Sequence, residues 1–139
     1  MDSGYFYDNK GKLISVIFDE LSSDLYIWAV SFKSENTFQL TKTGDQFKIL
    51  ATVIAIIREW ASQAKPALLT FSSNKEDGSR SKTYQAMVNR LAPTIGYVDV
   101  TNNIALLRDQ NKQQWVNKVR RAHSNSDIFV LARTDQLLK

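Results

Sequence analysis

TKTGDQFKILATVIAIIREWASQAKPALLTFS, residues 41–72, decides how this chain folds. Gly44 permits a sharp bend, and Thr43 or Asp45 can cap a helix that follows it. From residue 45 to about 63, Leu50, Val53, Ile54, Ile57, Trp60, Ala61 and Ala64 fall at the i, i+3, i+4, i+7 spacing of one helix face. Ile49, Val53, Ile56 and Trp60 add a second stripe, so a sheet should cover this helix broadly. Pro66 marks the exit, and residues 67–72 (ALLTFS) read as a short strand buried on both faces.

Working backwards, residues 37–41 (TFQLT), 25–33 (LYIWAVSFK) and 12–19 (KLISVIFD) read as three strands. They are rich in β-branched and aromatic residues, and Tyr26, Trp28, Val30 and Phe32 alternate against Ile27, Ala29 and Ser31. Short turns join them, including one at residues 21–24 (LSSD), which predicts an antiparallel meander. Residues 1–10 show no clear period and end in the turn signal at Asn9, Lys10 and Gly11.

Working forwards, residues 72–79 (SSNKEDGS) read as a polar loop with Ser79 as N-cap. A second helix is expected over 80–91, with Tyr84, Met87, Val88 and Leu91 on one face and Pro93 ending it. Gly96 turns the chain into a strand at 97–101. A basic helix at 111–123 (NKQQWVNKVRRAH) should point Trp115, Val116, Val119 and Ala122 inward. Residues 127–133 (DIFVLAR) close the sheet. The expectation is one α+β domain over residues 1–139: about six mostly antiparallel strands, two main helices packed on them, and the basic helix near the C-terminus.

The 139 residues carry a net charge of +4, 43% hydrophobic and 23% charged side chains, and no cysteine. That composition belongs to ordinary globular proteins and rules out disulfides and thiolate metal sites. The first residues lack the pattern of a signal peptide, and the longest apolar run is too short to span a bilayer. An intracellular or virion location without membrane contact is expected. His123 is the one histidine, so a histidine-based triad or multi-histidine metal site is not expected.

The order of elements resembles the later part of the GNAT N-acetyltransferase fold. That resemblance implies that Lys42, Thr43, Gly44, Asp45 and Gln46, where a strand bends into the long helix, hold the place where the family seats the pyrophosphate of acetyl-CoA on backbone amides. It also implies that Tyr84, in Ser81-Lys82-Thr83-Tyr84, stands where these enzymes carry a tyrosine that protonates the departing thiolate. Gly96-Tyr97 resembles the family's Gly-aromatic pair. Of the family's pyrophosphate pattern only Gly44 is present, and Asp45 sets a carboxylate beside it. The pattern TGDQFKILATVIAIIREW, FSSNKEDGSR and SKTYQAMVNRLA also resembles small proteins of tailed bacteriophages.

Together these point to a non-catalytic phage accessory protein that works by binding a protein partner, itself or another virion component, with no cofactor. The alternatives are an acyl-CoA-dependent N-acyltransferase using acetyl-CoA, and a nucleic-acid-binding module. For anion or nucleic-acid binding the candidates are Lys75, Arg80 and Lys82 around the loop after the buried strand, and Lys118, Arg120 and Arg121 of the basic helix, with Trp115 to stack a base. Each has a plain structural counterpart: a capped turn at Gly44, a solvated loop, a core tyrosine at 84 and a solvated helix face.

Overall fold

The computed structural model describes residues 2–7, 11–34, 46–75 and 78–138. Its first helix, α1 (Gln46–Ala64), forms where the apolar spacing puts it, and Ile49, Leu50, Val53, Ile54, Ile57 and Ala61 are all buried. It ends because Lys65 takes a left-handed conformation (φ +48°), its N–H bonding the Ala61 carbonyl at 2.9 Å, and Pro66 follows at once.

Before α1 the chain forms β1 (Asp2–Tyr7), β2 (Leu13–Ser22) and β3 (Ile27–Ser34); after it come β4 (Leu68–Asn74), α2 (Gly78–Ile95), β5 (Tyr97–Asp99), α3 (Gln110–Ala122) and β6 (Ser126–Arg133). The strands make one sheet in the order β1-β2-β3-β4-β6-β5. All neighbours are antiparallel except β3 and β4, which run parallel because α1 crosses between them. This is the six-stranded, mostly antiparallel α+β layout that the element order implies.

Alternation along the central strands sends side chains to two cores. On β4 and β6, Leu69, Phe71, Phe129 and Leu131 face α1 and α2, while Leu68, Ile128, Val130 and Ala132 face α3. α3 therefore lies across the sheet from the two longer helices, with Val116 buried and Trp115 and Val119 packed at its margin. No helix is long and apolar enough to cross a membrane among the described residues.

The structure corrects the sequence reading in several places. Residues 2–7, which show no period, form the edge strand β1. Its inward positions are Gly4 and Phe6, so the apolar alternation is missing at Gly4. A Cβ there would sit 2.9 Å from Ile56 Cγ2, so glycine is what lets β1 lie close to α1. The strand expected at 37–41 lies outside the described residues. Strand β2 runs through the expected turn to Ser22, with a register shift between Glu20 and Ser22, and Tyr26 makes the turn at φ +57°. Pro93 does not end α2. It stands in the last turn, where its missing N–H costs one bond, and the helix continues to Ile95 before Gly96 turns at φ +72°. Strand β5 stops at Asp99 because its carboxylate accepts from the Thr101 N–H (2.9 Å) and hydroxyl (2.5 Å). Ala122 is exposed.

The segment after α1 is tied on every side. Tyr26 Oη donates to the Ala64 carbonyl, an Arg133 guanidinium nitrogen to that of Lys65, Tyr97 Oη to that of Pro66, and the Arg133 N–H to that of Ala67. Burial pushes the Tyr97 phenol up from 10.0 to about 12. An unfolded chain ionises this phenol before the folded one does. The contribution of Tyr97 is therefore complete below pH 10 and is lost as pH rises from 10 towards 12. Urea unfolding at stepped pH should show this alkaline loss in the wild type and less of it in Tyr97→Phe. At neutral pH, Tyr97→Phe should be about 1 kcal/mol less stable, because the Pro66 carbonyl loses its donor.

Candidate functional site

Where β4 leaves the sheet for α2, and β6 enters beside it, the surface holds a cleft of about 610 Å³. Its floor is set by β4 and β6, which pair from Leu68↔Ala132 to Asn74↔Ser126 and bring Ser73 opposite Asp127. One wall is the first turns of α2, with Ser81, Lys82 and Gln85; the other is Thr101, Asn102 and Arg120.

A hydrogen-bonded chain crosses the floor. Ser81 Oγ donates to Asp127 Oδ2 at 2.8 Å. That commits the single Ser81 proton, so in the 2.6 Å contact between the Ser73 and Ser81 hydroxyls Ser73 is the donor. Ser73 is buried, and Ser81 is the acceptor that makes its burial tolerable. Lys75 stands exposed at the mouth, with its backbone N–H on the Asn125 carbonyl (2.8 Å). Lys82 is exposed on the opposite lip. Among the described residues neither lysine is in an ion pair.

Arg120 plays a different part. Its guanidinium donates to the carbonyls of Thr101 (2.5 Å) and Ile128 (3.3 Å), stitching α3 to the loop after β5 and to β6. Burial lowers its pKa from the usual arginine value, and no carboxylate offsets that. The same loop is fastened by Thr101 Oγ1, which accepts from the Val130 N–H at 2.9 Å. The charge of Arg120 thus lies behind the cleft wall as a fixed structural cation.

Of the residues singled out in the sequence, Lys75, Lys82 and Arg120 meet in this cleft. Arg80 lies in the first turn of α2 beside it. Lys118 and Arg121 are exposed on α3 and do not line it. Lys42, Thr43, Gly44 and Asp45 fall outside the described residues, and Gln46 opens α1. Tyr84 is 1% exposed, its ring enclosed by Phe32 (5.2 Å between centroids), Phe71 (6.0 Å) and Phe129 (6.4 Å). The parallel pairing of β3 and β4 spans only Ile27↔Leu68 to Ala29↔Thr70, and Phe32 and Phe71 lie beyond it on the two strands. Among the described residues, no group of three or more histidine, aspartate or glutamate side chains could hold a metal ion.

Ser73, Ser81, Asp127 and Thr101 were not singled out. Serines and a strand-initial aspartate are common on any surface, and only the pairing of β4 with β6 brings these together. A second groove of about 480 Å³ lies between the C-terminal ends of α1 and α2, where Arg58, Lys65 and Arg133 gather. There Arg133 is engaged by the Asp135 carboxylate at 2.7 Å, which raises its pKa further.

No protein-family model and no curated protein matches this chain. Among solved structures, a single-residue mutant of spermidine N-acetyltransferase SpeG from Vibrio cholerae is similar, with a TM-score of 0.44 and 9% identity. The similarity covers 94% of this chain and 63% of that one.

The hydroxyl chain can be tested directly. Ser81→Ala strands the buried Ser73 hydroxyl and should cost about 1–2 kcal/mol in urea unfolding. Lys82→Ala, one residue away but exposed, should change stability by less than about 0.5 kcal/mol.

Proposed function

We propose that this chain is a non-catalytic binding module whose cleft between β4, α2 and β6 takes an acidic segment of a partner protein. The observation that carries this reading is the charge balance of the cleft. Lys75 and Lys82 stand on its two lips, in no ion pair among the described residues, with Arg120 fixed behind, and Asp127, the one carboxylate among the described lining residues, is already hydrogen-bonded to Ser81. Hydroxyl and amide groups of Gln85, Asn102, Ser124 and Ser126 fill the space between the cations. They can donate to a carboxylate once the lysines have attracted it.

Two observations favour this reading over the alternatives. A single-stranded nucleic acid needs exposed aromatic faces for its bases. Here Trp115 is packed at the edge of the α3 core and Phe129 is buried. An acyltransferase needs its proton donor in contact with substrate, and the Tyr84 ring is closed in by three phenylalanines. The likeness to tailed-phage proteins supplies the setting, in the virion or the infected cell.

The test is fluorescence anisotropy with a labelled glutamate-rich peptide, run beside a single-stranded oligonucleotide and a thermal-shift titration with acetyl-CoA. Saturable peptide binding is expected, weakened at least about tenfold in the Lys75→Glu, Lys82→Glu double variant, with no thermal shift from acetyl-CoA. Tighter binding of the oligonucleotide, falling steeply with salt, would overturn the reading in favour of nucleic acid. A saturable rise in melting temperature with acetyl-CoA would restore the acyltransferase.

A further inference from the structure

At the end of the β4/β6 ladder away from the cleft, the groove of about 480 Å³ separates the C-terminal ends of α1 and α2. That volume lies within the range of about 300–1,000 Å³ usual for small-molecule sites. Arg58, Ala61 and Lys65 line it at the spacing of one α1 face, and Ile95, Tyr97 and Arg133 contribute from the ends of α2, β5 and β6. No aspartate or glutamate is among the described lining residues.

The fold itself does not use these cations as ordinary surface charges or as helix caps. A surface cation on a helix commonly meets a carboxylate three or four residues away, as Lys112 meets Asp109. The residues at those positions around Arg58 are Ile54, Ala55, Ala61 and Ser62, and around Lys65 they are Ala61, Ser62, Leu68 and Leu69. Both cations are exposed, and neither is in an ion pair among the described residues. Open carbonyls at a helix C-terminus also draw cations. At α1, however, the carbonyls of Ala64, Lys65 and Pro66 already take Tyr26, Arg133 and Tyr97. Arg133 is gripped twice, by Nη1 on the Lys65 carbonyl and by Nε on Asp135 Oδ1 at 2.7 Å. Its guanidinium is thereby fixed, while Nη2 meets no acceptor among the described residues. Asp135 offsets the charge of Arg133 and leaves those of Arg58 and Lys65.

We infer that this groove binds the phosphate group of a small phosphate monoester. Such a group carries close to two negative charges at neutral pH and presents three outer oxygens. These can take Arg133 Nη2, the Lys65 ammonium and the Arg58 guanidinium separately, whereas a carboxylate has one charge and two oxygens. Arg58 and Lys65 stand seven residues apart, about two helical turns, and both side chains are long enough to converge on one anion. A bare phosphate ion is much smaller than the groove, so the ester body lies over Ala61, Ile95 and Tyr97. The groove and the cleft share no lining residue, and neither site depends on the other.

A thermal-shift titration of the full chain with phenyl phosphate tests this, at about pH 7.5 with ionic strength held constant by sodium chloride. A saturable rise in melting temperature is expected. The dissociation constant should increase at least about tenfold in the Arg58→Gln, Lys65→Gln double variant and stay unchanged in Lys75→Glu, Lys82→Glu. Benzoate, the same ring with one charge, should bind at least about fivefold more weakly than phenyl phosphate. No saturable shift up to about 20 mM overturns the proposal, as does binding that survives in the Arg58, Lys65 variant. Binding lost with Lys75 and Lys82 instead would put the phosphate in the cleft, and benzoate binding as tightly would remove the case for phosphate. Should the double variant not fold, Arg58→Gln alone serves, with an expected weakening of at least about threefold.

Discussion

The turn between α1 and β4 holds the fold together. Four successive carbonyls, from Ala64 to Ala67, take donors from three other parts of the chain: Tyr26 before β3, Tyr97 of β5 and Arg133 of β6. The bond to the Pro66 carbonyl is buried, and leaving that carbonyl unmet would cost about 1–3 kcal/mol, while the exposed bonds to Ala64 and Lys65 weigh less. The consequence of this cluster is the parallel pair β3/β4, because Tyr26 also accepts from the Ala67 N–H (2.9 Å) just before Ile27 pairs with Leu68. Two residues are held in left-handed conformations to make it, Tyr26 and Lys65. Each costs about 1 kcal/mol or more as a non-glycine residue, which the surrounding bonds offset.

Once β4 is seated, both cores follow. Its Leu68 faces α3 and its Leu69 and Phe71 face α1 and α2, and β6 repeats the division beside it. The far side of the α1 core is closed by rings: Trp60 stacks on Phe18 at 4.2 Å and meets Trp28 edge-on at 5.0 Å. Such pairs add about 0.5–1.5 kcal/mol each beyond the area they bury. The indole N–H of Trp28 is buried with no hydrogen-bond acceptor among the described residues. Fixing β4 and β6 in register also sets the cleft, since Ser73 and Asp127 are partners across that ladder.

How much of this was legible in the sequence depended on what each segment had to signal. Helix α1 announced itself because its buried face repeats without interruption. Strand β1 did not, because one of its inward positions must be a glycine for Ile56 to fit. Pro93 misled because a proline in a last turn removes only one hydrogen bond, and nothing in the sequence distinguishes that from a stop. Among the site residues, Lys75 and Lys82 could be found by charge near the end of a strand, whereas Arg120 looked like one more cation on a basic helix. Its binding to the Thr101 and Ile128 carbonyls depends on residues 19 and 8 positions away. Local periodicity carries no such information.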